Sequence, residues 1–175
     1  MRRATILVAV WTACAWAAAS PAHAGRLEVA DPSGDTYNGS SLLDITTVVV
    51  RNLDSAIVTK VHFGRAGTGD LIVHFQTDGE PDRVLAAVVS HHRPTRGDRN
   101  SFAATDGTEG CDGLRVSWNH DLDLATIKVP SRCLAQGDYD EVRVRVLTEI
   151  VVDQDVYAPN PGARGWPWTR WVPRG

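Results

Sequence analysis

Apolar and polar residues alternate along most of this chain. From Ala56 to Phe63, Ile57, Thr59, Val61 and Phe63 fall on one side of an extended backbone, with Lys60 and His62 on the other. Successive side chains of a strand point to opposite faces, so this period of two reads as half-buried sheet. Glu141 to Leu147 is the cleanest case, with Val142, Val144 and Val146 inward and Arg143 and Arg145 outward. Leu43 to Arg51, Leu71 to Phe75, Arg83 to Ser90, Ser101 to Thr105, Leu114 to Trp118 and Leu122 to Val129 also read as strands, and Val151 to Val156 either extends the strand before it or forms a separate edge. Leu43 to Arg51 is rich in β-branched residues, which pack well on a pleated surface and lose rotamer freedom in helices. No stretch sustains a helical period.

Turn chemistry separates these segments. Asn52-Leu53-Asp54-Ser55 predicts a hairpin, Thr77 to Asp82 (TDGEPD) a longer turn, and Asn119-His120-Asp121 another; Pro130 ends the strand before it. Seven to nine short strands spaced this way predict an all-β protein, an antiparallel β-sandwich of jelly-roll or Ig-like type. Strand counting alone leaves a closed barrel as the competitor.

The amino terminus changes the picture. Arg2 and Arg3, an apolar run from Thr5 to Ala19, and Ala22-His23-Ala24 have the order of a secretory signal peptide cleaved after Ala24. The domain reading is therefore a signal peptide over 1–24, a sandwich domain over 25–157, and a Pro-, Gly- and Trp-rich tail over 158–175. Cys14 falls in the leader. Cys111 and Cys133 remain, and an even count in an exported chain predicts a disulfide. It would tie the open ends of the hairpin running from Leu114 to Val129.

The chain carries 18 Lys and Arg against 21 Asp and Glu, a formal net charge of −3. This mildly acidic balance gives no electrostatic reason to expect nucleic acid or an anionic membrane as partner. Beyond the leader no segment approaches the roughly 20 apolar residues of a spanning helix, so no transmembrane anchor is expected. A secreted monomer is the expectation.

Candidate chemistry is sparse. Asp31, Asp35 and Asp44 frame a Gly-bearing loop, and hard oxygen ligands there suit calcium, the one candidate cofactor. The competing reading is Asx-turn chemistry leading into the first long strand. Asp78, Glu80 and Asp82 form a second acidic turn that reads as a solvated hairpin loop. His62, His74, His91, His92 and His120 lack the spacing of a zinc site. Ser90 beside His91 is not triad geometry, and no G-x-S-x-G elbow is present, so no catalytic residue is assigned. Trp166, Trp168 and Trp171 are candidate ligand-stacking residues; the alternative is a tail docked on its own domain to shield an edge strand.

Asp31–Asp35 (DPSGD), Ser41–Val50 (SLLDITTVVV), LIVHF followed by TDGEPD, and Lys128–Leu134 (KVPSRCL) form a combination. It resembles small secreted proteins of high-GC Gram-positive bacteria, themselves similar to DOMON and family 9 carbohydrate-binding modules. The resemblance covers most of Val29 to Leu147. It implies an antiparallel sandwich, sometimes calcium-stabilised, without a shared catalytic residue. The haem ligand pair of some DOMON domains has no counterpart, because Met1 is the only methionine and leaves with the leader. Export, strand pattern and this likeness together lead to a secreted, non-catalytic binding or cell-envelope-associated module. Its expected partner is an extracellular glycan or an envelope component. The alternatives are an extracellular hydrolase using loop carboxylates, and a protein-binding inhibitor or structural envelope protein using the loop His91–Asn100 or the tail.

Overall fold

The computed structural model describes residues 25–31, 42–80, 82–152, 155–157 and 167–175; residues 1–24, expected from the sequence to be a signal peptide, lie outside them. The strands are β1 (Gly25–Ala30), β2 (Ile45–Leu53), β3 (Ala56–Phe63), β4 (Gly69–Thr77), β5 (Ala86–His92), β6 (Arg99–Ala104), β7 (Arg115–Asn119), β8 (Leu124–Pro130), β9 (Glu141–Val152), β10 (Asp155–Tyr157) and β11 (Val172–Pro173). They make two antiparallel sheets. One is ordered β1–β2–β3–β8–β7; the other is β10–β9–β4–β5–β6, with β11 added beside β9. The two ladders stay separate, which is a sandwich and not a closed barrel.

The inward halves of the alternating strands form the core. Val48, Val50, Ile57, Val61, Ile127 and Val129 face Leu71, Val73, Phe75, Val88, Val142, Val144 and Val146, all at most 1% exposed. Burying each such side chain contributes roughly 1.5–3 kcal/mol, so this interface dominates the stability. Asp54 and Ser55 make the two-residue turn between β2 and β3, closed by the Leu53–Ala56 pair. At the β7–β8 turn, Asn119 Oδ1 accepts from Leu122 N at 3.1 Å, and Asp123 adopts a left-handed conformation. The disulfide joins Cys111 to Cys133 with Cα atoms 5.8 Å apart, at the open end of the β7–β8 hairpin where Arg115 pairs with Lys128.

The structure departs from the sequence expectation at β1, β11 and β5. β1 and β11 are extra strands: Gly25–Ala30 directly follows the segment read as a leader, and the two-residue β11 is too short to show a period. Val151–Val156, expected either to extend the preceding strand or to form a separate edge, divides between the end of β9 and β10. β5 continues through His91 and His92, which the sequence places in a loop, because their pairing with Asp70 and Gly69 extends the ladder.

The end of the tail lies along β9. Thr169 N donates to Val144 O at 2.9 Å, Val144 N donates to Thr169 Oγ1 at 3.0 Å, and Val172 pairs with Val142. It also reaches the other sheet: Asn52 Nδ2 donates to Val172 O at 3.0 Å, and Gly175 N donates to Asn52 O at 3.1 Å. Gly25 packs so closely here that a Cβ would overlap the Pro173 carbonyl oxygen. Residues 167–175 thus cover part of the β9 edge, which uncovered would be a template for pairing with another chain.

Candidate functional site

The residues singled out in the sequence are scattered. Asp31 follows β1, and its N–H donates to Thr46 O at 2.8 Å; Asp44 precedes β2 and is 2% exposed. The β1–β2 register brings these two to one end of the five-stranded sheet, while Asp35 lies outside the described residues. Among the described residues no group of three or more His, Cys, Asp or Glu side chains gathers to hold a metal ion. In the second acidic turn, Asp78 Oδ1 accepts from Asp140 N at 3.1 Å, and Glu80 pairs with Arg83 at 3.2 Å.

Trp166 is also outside the described residues. Trp168 and Trp171 are half-buried and flank one cation: the Arg143 guanidinium sits 5.5 Å from the first ring centre and 4.6 Å from the second. Arg145 approaches Trp168 at 5.9 Å. Arg143 and Arg145 project from the outer face of β9, so the Trp168 and Trp171 indoles are held against their own sheet by cation–π contacts.

Ser90 and His92 point inward from β5. The Ser90 hydroxyl is fully buried and accepts from Trp118 Nε1 at 3.1 Å, which leaves it no access to a substrate. His92 stacks on Trp118 with ring centres 4.1 Å apart, Trp118 stacks on Phe63 at 5.5 Å, and His120 lies 4.8 Å from His92. His92 Nδ1 is 2.7 Å from Asp98 Oδ1. Burial nevertheless holds His92 below its ordinary pKa, with help from His120 and Arg93, against the raising effect of Asp98. These contacts make an aromatic column that seals one end of the core. The clue in the sequence was the continued alternation of Val88, Ser90 and His92.

The outer face of the five-stranded sheet is different in kind. Directly opposed residues of an antiparallel pair share a face. The registers place Arg26 opposite Arg51, Arg51 opposite Val58, Val58 opposite Lys128, and Lys128 opposite Arg115. Four exposed cations therefore stand in one rank across all five strands, interrupted only by Val58. The next rank reads Glu28, Val49, Lys60, Thr126, Ser117, and the one beyond it Ala30, Thr47, His62, Leu124, Asn119. Arg26, Glu28, Thr46, Thr47, Val49, Arg51, Lys60 and His62 line a shallow depression of about 750 Å³.

Five cations and one carboxylate occupy these three ranks, which leaves thirteen basic and twenty acidic side chains for the rest of the sequence. Glu28 is paired with Arg26 at 2.7 Å. Arg26/Arg51 and Arg115/Lys128 are like charges directly opposed, an arrangement that disfavours the sheet by about 0.2–1 kcal/mol each. Both lysines of the chain, Lys60 and Lys128, belong to this face. Arg51, Lys60, Arg115 and Lys128 lie in segments the sequence reads as strands, while Arg26 lies in β1, which it does not; only the cross-strand register aligns them. No protein-family model matches the chain, and no curated protein matches it either.

Proposed function

We propose that this protein is an exported, non-catalytic binding module that engages extracellular carbohydrate or cell-envelope polymer with the outer face of its five-stranded sheet. One observation carries the reading: this face is broad, hollowed and hydrophilic, and bears charged side chains in an energetically unfavourable alignment that structure alone does not require. Export is supported by the leader-like residues 1–24 and by the disulfide, a bond that persists in oxidising compartments. No helix among the described residues is long and apolar enough to cross a membrane. The resemblance to DOMON and family 9 carbohydrate-binding modules points to the same class, and the module acts as a monomer. Calcium at Asp31, Asp35 and Asp44 would be a structural ion of that class.

The test is retention of residues 25–175 on cell-envelope preparations and on a panel of insoluble glycans. Retention at physiological salt is the expected result. A folded protein, verified by its circular dichroism, that passes through every matrix would end the proposal. Retention only by an envelope protein, surviving removal of the glycan, would replace it with the inhibitor or structural reading.

A further inference from the structure

We infer that the ligand of this face is an acidic linear polysaccharide lying across the strands, its carboxylates met in turn by Arg26, Arg51, Lys128 and Arg115. The inference rests on the binding-module reading and adds the chemical class. Neighbouring strands are about 4.8 Å apart, so the rank extends for roughly 19 Å, the length of several sugar residues. Exposed Arg and Lys heads on long stems adapt to a repeating anion without a close geometric match.

The composition of the three ranks discriminates among polymers. They contain no Trp, Tyr or Phe. A neutral sugar is gripped mainly by aromatic faces, and single-stranded nucleic acid needs a stacking platform; neither is provided. A membrane-inserting surface presents large apolar side chains, whereas here Leu124 is half-buried and Val49 is covered. Beside the cations, the polar side chains of these ranks are Glu28 (held by Arg26), His62, Thr47, Thr126, Ser117 and Asn119; the last four are short hydrogen-bonding groups suited to sugar hydroxyls and carboxylates. A bound polyanion would also relieve the two like-charge oppositions, so the unfavourable arrangement in the free protein becomes favourable in the complex.

The experiment measures binding of residues 25–175 to polygalacturonate, to its fully methyl-esterified form, to an uncharged glucan, to phosphatidylglycerol vesicles and to a single-stranded DNA. Each is compared with the triple variant Arg51→Gln/Lys128→Gln/Arg115→Gln. A control triple, Arg83→Gln/Arg96→Gln/Arg99→Gln, removes equal charge from exposed positions elsewhere. All six side chains are exposed, so both triples fold with the parent's circular dichroism; the control melts with the parent, and the rank triple, which removes both like-charge oppositions, melts at or above it. Polygalacturonate should bind best, about tenfold weaker to the rank variant, from three exposed ion pairs, and unchanged in the control. Raising salt should weaken it further.

Equal losses in the two triples would reduce the effect to net charge and overturn the inference. Binding to esterified pectin or glucan at equal strength, unaffected by the rank variant, would overturn the acidic assignment and leave the module reading standing. Tighter binding of vesicles or DNA through the same rank would also overturn it. Failure of every glycan would remove both proposals together.

Discussion

Asn52 clasps the carboxy-terminal segment to β2 beside β1, and its replacement measures that clasp. The side chain is fully buried, and its Nδ2 donates to Val172 O at 3.0 Å and to Asp140 O at 3.4 Å. Asn52→Ala removes one well-formed buried hydrogen bond, about 1 kcal/mol net. It also leaves a small void and poorly solvated carbonyls, together about another 1 kcal/mol. The sum is about 2 kcal/mol, or a melting temperature roughly 4–8 °C lower for a chain of this size. Asn52→Asp keeps the volume but turns a buried carboxylate toward two carbonyl oxygens, so the loss must be larger. Thermal unfolding of residues 25–175 at pH 7.5, with hydrogen exchange at the Thr169 amide, reads both stability and tail docking. The expected order is parent, then Ala, then Asp, with the Thr169 amide exchanging faster in both variants. An Ala variant that melts with the parent and keeps that amide protected would refute the clasp, as would an Asp variant at least as stable as Ala.

Three further outcomes follow from named groups. Cys111→Ser/Cys133→Ser opens a cross-link spanning 22 positions, and urea denaturation should show a loss of about 3 kcal/mol; a loss below about 1 kcal/mol would contradict the chain-entropy account. Burial lowers the pKa of His92, and burial together with Arg145 lowers that of His74, from 6.5. The unfolded chain then takes up protons first as pH falls, so stability is fully present above about pH 6.5 and declines below it toward the folded-state pKa values. Urea midpoints at pH 7.5 and pH 5.0 check this, and an equal or higher midpoint at pH 5.0 would contradict it. Millimolar calcium should raise the melting temperature if Asp31, Asp35 and Asp44 hold the ion; identical curves with calcium and with chelator would remove the calcium reading.

The sequence by itself determined the class of fold and most of its local detail. Val142, Val144 and Val146 against Arg143 and Arg145 define a strand and its buried face without any partner, because side-chain direction alternates within a single backbone. A turn within Asn52–Ser55 and the Cys111–Cys133 bridge were legible too, the first from turn-forming residues between two strands and the second from an even cysteine count. Tertiary structure decided everything that depends on which strand lies beside which. It extended β5 so that His92 enters the aromatic column with Trp118. It brought Gly25, Asn52 and Val172 together although they are far apart in the chain. It also aligned Arg26, Arg51, Lys128 and Arg115, which no period within one strand reveals and which a net charge of −3 conceals. Pattern within a strand follows from backbone geometry, whereas register between strands follows from packing the whole core, and the candidate binding face is a product of register.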